Sequence, residues 1–307
     1  MNEVLGWGQN NGQFVTKKLF LDAPRRIGIT NVRSICLGVD LLAIVDFRND
    51  LYIVGKGRNQ KVWLQNVKQV SAVGPEPYTE ILALTLNGQV YLIKPDSDEE
   101  PVHLPFENII QISSSVHTDT PILMLQSNGQ VLCENEQVDW PEPAIQVSGC
   151  HMVGQSGQVY ELRNNRAVYP ILNDIREISS TQDTCLALTS KGTLYELTRY
   201  DGQFSKVKLS CISLPVVSFA CSDSHCIALD KAGVVWVWGP NRKGELGLGD
   251  CAERRTPSQI SGLTSKRITS VLASDGFSVA LCKVDQQKRK TTKPKEQENF
   301  SPQVCSF

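Results

Sequence analysis

Residues 234–257 read VVWVWGPNRKGELGLGDCAERRTP. The apolar run 234–238 ends at Gly239, and a polar turn with Asn241 and Gly244 follows. Then come Leu246-Gly247-Leu248-Gly249-Asp250, with Pro257 eight residues beyond Gly249. Trp236 and Trp238 stand two apart, so on an extended strand they point to one face. The glycines supply backbone angles that residues with a Cβ resist. The stretch reads as a strand, a tight glycine-lined loop and a return.

The same strand belongs to a unit that recurs along the chain: apolar strand, short polar turn, apolar strand. Residues 81–93 read ILALTLNGQVYLI, 122–133 ILMLQSNGQVLC, 151–162 HMVGQSGQVYEL, 185–197 CLALTSKGTLYEL and 226–238 CIALDKAGVVWVW. A degenerate copy, LAIVDFRNDLYIV, occupies 42–54 and turns at Asn49-Asp50. Asn-Gly between apolar runs predicts a two-residue type I′ hairpin, whose central residues both need positive φ. The turns at Asp50, Gly88, Gly129, Gly157, Gly192 and Gly233 are 38, 41, 28, 35 and 41 residues apart. The short spacing at 150–180 predicts a unit with a missing or irregular strand.

A β-branched run precedes each hairpin: VRSICLG (32–38), VKQVSAVG (67–74), IIQISSS (109–115), IQVSGC (145–150), IREISS (175–180), VVSFACS (216–222) and ITSVLAS (268–274). Each reads as an edge or outer strand feeding the next unit. Six hairpins are complete, and the termini supply a seventh: SVALCKV (278–284) as its first half and EVLGWG (3–8) as its second. This last unit continues through residues 9–13 and 32–38. Closing a ring in this way removes exposed sheet edges.

The stretch 234–257 resembles the signature repeat of the regulator of chromosome condensation family. The resemblance spans about residues 1–284, is specific over 226–274 and diffuse elsewhere. It implies an all-β fold, a seven-bladed β-propeller whose last blade is closed by N- and C-terminal strands. Ser222-Asp223-Ser224-His225 is similar to the family's repeat-start motif Gly-Asp-Ser-His, with Ser in place of Gly. Ser114-Ser115-Val116-His117 matches more weakly, Ser274-Asp275-Gly276-Phe277 keeps the Asp, and Gly38-Val39-Asp40-Leu41 keeps the Gly. In the family such turns line one propeller face near the shaft. The resemblance thus nominates Asp40, His117, Asp223, His225 and Asp275 as a partner-binding face. Each of these side chains could equally satisfy backbone groups at a tight inter-blade turn.

Composition narrows the function classes. A net charge of −1 gives no global field to attract nucleic acid, so no direct nucleic-acid partner is expected. No apolar run approaches the roughly 18 residues of a membrane span, and residues 1–12 lack the pattern of a secretion leader. Cys36, Cys133, Cys185, Cys221, Cys226 and Cys282 lie inside apolar strands, where thiols behave as small hydrophobes. Free thiols in a reducing compartment, cytoplasm and/or nucleus, are therefore expected. Residues 285–307, rich in polar residues and without periodicity, read as a disordered tail after a propeller domain at 1–284. Lys288, Arg289, Lys290, Lys293 and Lys295 read there as a nuclear localisation signal or as part of a solvated tail.

No phosphate-binding loop or nucleophile elbow is present, and the chain has only four histidines. Cys211, Cys221, His225 and Cys226 cluster, but their spacing fits no standard zinc pattern, so they read as buried thiols and one structural His. No catalytic residues, metal or cofactor are expected. The leading expectation is a monomeric protein-interaction scaffold, since loops on a rigid frame carry binding. The alternative implied by the family is a guanine nucleotide exchange factor for a Ran- or Rab-like small GTPase. The archetypal exchanger carries a protruding β-wedge, for which 94–105 and 199–208 are the candidate segments here. It also has a basic N-terminal arm, which this chain lacks. A conventional enzyme with its site in the shaft has no support beyond the fold.

Overall fold

The computed structural model describes residues 2–9, 20–38, 41–55, 62–74, 79–97, 99–114, 122–133, 136–139, 141–163, 166–181, 184–200, 203–222, 224–274 and 276–283. Its strands form seven antiparallel sheets of four strands each. In six of them the strand order follows the chain, and these blades span 32–64, 67–104, 109–137, 144–172, 175–208 and 216–259. The seventh is built from both ends of the described chain: Arg267–Ser274, Phe277–Lys283, Asn2–Gln9 and Phe20–Thr30. Asn2 pairs with Lys283 and the register runs unbroken to Gly8 opposite Phe277. The expected closure by the termini is present.

The hairpins form where the alternation placed them, with a different turn. Gly88, Gly129, Gly157, Gly192 and Gly233 take φ between 78° and 87°, and Asn49 takes 67°, while Asn87 and Asn128 do not have positive φ. The Gly88 N–H donates to the Thr85 carbonyl at 3.1 Å and the Thr85 N–H to the Gln89 carbonyl at 2.9 Å, a pairing that recurs at the other turns. This is a three-residue loop, a type I turn closed by one left-handed residue, in place of the expected type I′. The extra residue, Leu86 in that loop, leaves a single position with positive φ.

The β-branched runs correct a second expectation. Each is a sheet edge, but the inner one: neighbouring blades touch through Val67–Val73, Ile109–Ser113, Ala144–Ser148, Ile175–Ser180 and their equivalents. Val32–Leu37 likewise opens the first blade instead of continuing the seventh, whose fourth strand is Phe20–Thr30. The short unit at 144–172 has all four strands, and its irregularity is a register shift between Val159 and Glu161. The loss expected there falls one blade earlier, where the outer strand is only Glu136–Gln137.

Apolar residues at alternate strand positions pack blade against blade. The largest cluster unites the sixth, seventh and first blades through Val237, Leu246, Trp7, Val279 and Ile35. Polar stitches join the inner strands. The Gln111 amide donates to the Val147 carbonyl at 3.0 Å and accepts from the Val147 N–H at 3.1 Å. Gln69 does the same with Ile112, and Gln146 with Ile178. Two residues further on, hydroxyls repeat the device: Ser113 accepts from the Gly149 N–H, Ser148 from Ser180 and Ser179 from Cys221. A side-chain amide copies the donor and acceptor of a peptide group, so it pairs the inner strands of two neighbouring blades. Glu177 holds the equivalent place in the fifth blade, and burial pushes its carboxyl pKa up against the pull of Arg176. Gln111→Ala removes both bonds of one stitch and is expected to cost about 1–3 kcal/mol in urea unfolding. An unchanged midpoint would show that the stitch contributes nothing net.

The alternation of strand direction gives the ring two faces. One carries the turns between inner and second strands together with the loops between third and outer strands; we call it the motif face. The other carries the three-residue hairpin turns and the starts of the inner strands, and is the hairpin face.

Candidate partner-binding face

The motif face is best defined at the sixth blade. Ser222, Ser224 and His225 lie in the turn between Val216–Cys221 and Cys226–Asp230. The His225 ring is 2 % exposed. Its Nε2 lies 2.6 Å from Ser278 Oγ in the seventh blade, and Ser278 in turn donates to the Glu245 carbonyl at 2.8 Å. Because the Ser278 proton is committed to that carbonyl, Nε2 must be the donating nitrogen, and Nδ1 accepts from Ser224 at 2.9 Å or Ser222 at 3.1 Å. Both ring nitrogens are satisfied in the neutral imidazole, and burial pushes the pKa down to about 3. Ser224 Oγ also accepts the Gly276 N–H at 3.0 Å, so the turns of two blades are tied together. Of the two roles the sequence left open for His225, the ring takes the internal one and is fully committed inside the protein.

Asp223 and Asp275 flank this network in sequence and lie outside the described residues, as do Asp40, His117 and the basic positions Lys288, Arg289, Lys290, Lys293 and Lys295. The structure therefore places His225 alone among the nominated side chains.

Cys221 and Cys226 correct the expectation of free thiols. They are directly opposed across the hairpin, with Cα atoms 4.2 Å apart, and are joined as a disulfide. The five-residue separation makes them cross-strand neighbours at the end of the hairpin, a geometry that an apolar reading of the strands does not register. The pair closes the turn that carries Ser222 to His225. Cys185, Cys211, Cys251 and Cys282 are free, and burial raises the Cys36 thiol to about 12. Among the described residues no group of three His, Cys, Asp or Glu side chains is placed to hold a metal ion. No helix among them is long and apolar enough to cross a membrane.

The glycine-rich loop beside this turn acts as a clasp. Asn241 donates to the Asp250 and Ala252 carbonyls at 2.9 and 3.2 Å and accepts the Leu246 N–H at 2.9 Å. Gly247, at φ 64°, lies flat on Trp7: a Cβ there would stand 2.6 Å from the indole. The Gly249 N–H reaches the Asp22 carbonyl at 2.9 Å. The loop thus presses the sixth blade onto both N-terminal strands. Asp250 is held below the usual carboxylate range by the Ala252 N–H and by Arg254, 2.6 Å away.

The two wedge candidates are blade elements. Val102–Leu104 pairs with Val90–Ile93 as the outer edge of the second blade. In the fifth blade Leu194–Tyr200 and Gln203–Lys208 form a hairpin whose last pairs, Arg199 with Phe204 and Tyr200 with Gln203, extend beyond Thr184, the start of the second strand. Trp63 is partly buried in the outer strand Val62–Leu64.

A model of the regulator of chromosome condensation (RCC1) repeat matches residues 232–281, and a second model of that repeat matches 216–245. Residues 216–281 are RCC1-like repeat sequence. Over 66 residues it is 38 % identical to the Ultraviolet-B receptor UVR8 of Arabidopsis thaliana, covering 22 % of this chain and 15 % of the receptor. Over 70 residues it is 36 % identical to the human E3 ubiquitin-protein ligase HERC2, covering 23 % of this chain and 1 % of the ligase. The matched segments are thus small parts of these relatives. The fold likeness is broader. Human WBSCR16 superposes with a TM-score of 0.75 at 14 % identity, covering 92 % of this chain and 99 % of that one. Saccharomyces cerevisiae Prp20p superposes at 0.73 and 16 %, covering 93 % and 92 %. RCC1-like identity is carried locally, at the clasp and the 222–225 turn, and the ring geometry is shared throughout.

Proposed function

We propose that this RCC1-like propeller is a protein-interaction scaffold whose motif face receives a protein partner. The observation that carries the reading is the anchoring of the sixth-blade turn at its described residues: buried His225, the Cys221–Cys226 bond and Ser224 tie it to its own blade and to the seventh. A binding loop held in advance loses less entropy on association. In this reading His225 is a positioning residue, and Asp223 and Asp275 supply contacts.

The second reading is guanine nucleotide exchange on a Ran- or Rab-like GTPase. Prp20p, similar in fold, is described by its binding to Gsp1p and histones. The overshooting outer hairpin of the fifth blade gives this reading a feature on the motif face with which to reach a nucleotide site. Release of a fluorescent guanine nucleotide from purified Ran-, Rab- and Arf-type GTPases tests it. Acceleration on one of them, lost in Asp223→Ala or Asp275→Ala, supports exchange at this face. No acceleration on any of them removes the exchange reading and leaves the scaffold. The scaffold reading fails if a partner captured at stoichiometric ratio still binds both Asp variants unchanged.

A further inference from the structure

The hairpin face carries chemistry of its own. In every blade the inner strand has a register shift that skips one residue near its start, between Val32 and Ser34, Val67 and Gln69, Ile109 and Gln111, and so on around the ring to Ile268 and Ser270. A residue skipped by the ladder is turned out of the sheet. These residues therefore form a ring around one mouth of the shaft. Three are exposed aliphatics: Ile110 at 40 %, Ile145 at 48 % and Val217 at 48 %. Three are basic, Arg33, Lys68 and Arg176, and the seventh is Thr269; none is acidic.

The surroundings extend the same pattern. Phe47 and Leu86, first residues of two hairpin turns, are 59 % and 51 % exposed, and Leu214, in the link into the sixth blade, is 45 % exposed. Among the described residues, six of the nine exposed large hydrophobics thus lie on this face; the other three, Val62, Val102 and Val207, belong to outer strands. Between the sixth and seventh blades a groove of about 450 Å³ is lined by Lys231, Arg267, Thr264, Ser265 and Lys266, the last of which pairs with Glu3 at 3.5 Å. Three acids on the face are engaged internally, Asp46 by its own turn's N–H groups, Glu142 by Ser156 and Tyr160 and Asp174 by Ser190, while Glu107 and Asp139 stand exposed in the links outside the ring.

We infer that the hairpin face docks an acidic polypeptide segment bearing aliphatic or aromatic side chains, with the apolar anchors on Ile110, Ile145 and Val217 and the carboxylates over Arg33, Lys68 and Arg176. The argument is charge complementarity. Exposed aliphatics favour an apolar ligand, and a ring of seven positions with three cations and no acid favours a partner of opposite sign at the ring itself. A second copy in face-to-face symmetry would bring two cationic rings together, which disfavours self-association. Nucleic acid would leave the aliphatic positions against phosphate. This site lies opposite the motif face and stands or falls independently of the reading proposed for that face.

The test is fluorescence anisotropy with the full chain and a short fluorescein-labelled peptide alternating Glu with Leu and Phe. Comparison probes are the same peptide with Lys for Glu, the same with Ser for Leu and Phe, and a single-stranded oligonucleotide. Saturable binding of the acidic apolar peptide alone is expected, weakening as salt rises. The combined Arg33→Glu, Lys68→Glu, Arg176→Glu variant and the Ile110→Ser, Ile145→Ser variant should each raise Kd about tenfold or more. All five side chains are exposed, and an unchanged circular dichroism melt confirms that the variants fold. Absence of binding, equal binding of the lysine or serine peptide, or Kd values unmoved by both variants overturns the inference. So does tighter binding of the oligonucleotide, or a concentration-dependent dimer that Ile145→Ser dissolves.

Discussion

Trp7→Ala is expected to destabilise the protein by about 3–5 kcal/mol, lowering Tm by roughly 6–15 °C. Trp7 is fully buried, on the strand Asn2–Gln9 that sits between Phe277–Lys283 and Phe20–Thr30. The glycine-rich clasp closes over its indole at Gly247, and the cluster around it unites three blades. Truncation leaves a cavity at the seam where the ring is closed, and the clasp cannot follow because Asn241 and Asp22 hold it from either side. Trp7→Phe keeps most of the buried area and should cost clearly less. Thermal and chemical melts of the two variants decide the matter. Equal, small losses below about 1 kcal/mol would mean that the seam is held by strand pairing and not by the indole.

Acid should weaken the fold through His225. The unfolded side chain titrates near 6.5 and the folded one near 3, because burial disfavours the imidazolium. Above pH 6.5 both states are neutral and the group contributes nothing. Below it the unfolded chain takes a proton that the folded chain refuses, so stability falls by about 1.4 kcal/mol per pH unit. The total approaches about 5 kcal/mol by pH 3 as an order of magnitude. Glu142 and Asp250, whose pKa values are lowered by hydrogen bonds, add their own losses only near and below the ordinary carboxylate range. The window from pH 6.5 to 5 lies above those losses, and the difference between the native sequence and His225→Gln separates the histidine from Glu177 and Glu196, whose raised pKa values act in the opposite direction. Urea unfolding across that window should show the slope in the native sequence and a flatter one in His225→Gln. Identical slopes would show that the ring is protonated in the folded protein. Ser278→Ala should destabilise at neutral pH, because it leaves both the His225 Nε2–H and the Glu245 carbonyl without their shared partner.

The parts of the fold that alternate were legible in the sequence. CLALTSKGTLYEL and its relatives pair one buried face with a glycine turn, and EVLGWG could be matched to SVALCKV because both halves are apolar at alternate positions. The outer strands were not legible. Val102–Leu104 and Arg254–Gln259 are largely exposed, so no buried face imposes a period on them. Phe20–Thr30 is interrupted by Pro24, Arg25 and Arg26, and its pairing slips between Glu3 and Leu5 and again between Gly6 and Gly8. The blade stitches had an available signal in the repeated third-place glutamine of VKQVS, IIQIS and AIQVS. It went unread because a polar residue on a strand is ordinarily assigned to solvent. The motif turn was legible as a location through Ser222 to His225. The burial of the imidazole was not, since it depends on Ser278, 53 residues away, and on the carbonyl of Glu245. The skipped residues near the starts of the inner strands are a matter of register, which the spelling of a single strand does not reveal.

The seventh blade also fixes how the ring meets mechanical load. Asn2 and Lys283 are partners at the same end of one antiparallel pair. Tension drawing these two ends apart acts across the ladder instead of along it, so its hydrogen bonds take the load one after another. The same force applied along neighbouring strands would have to break them together. The protein should therefore resist tension between its two ends least at this seam, and peel there before any of the stitched blades gives way.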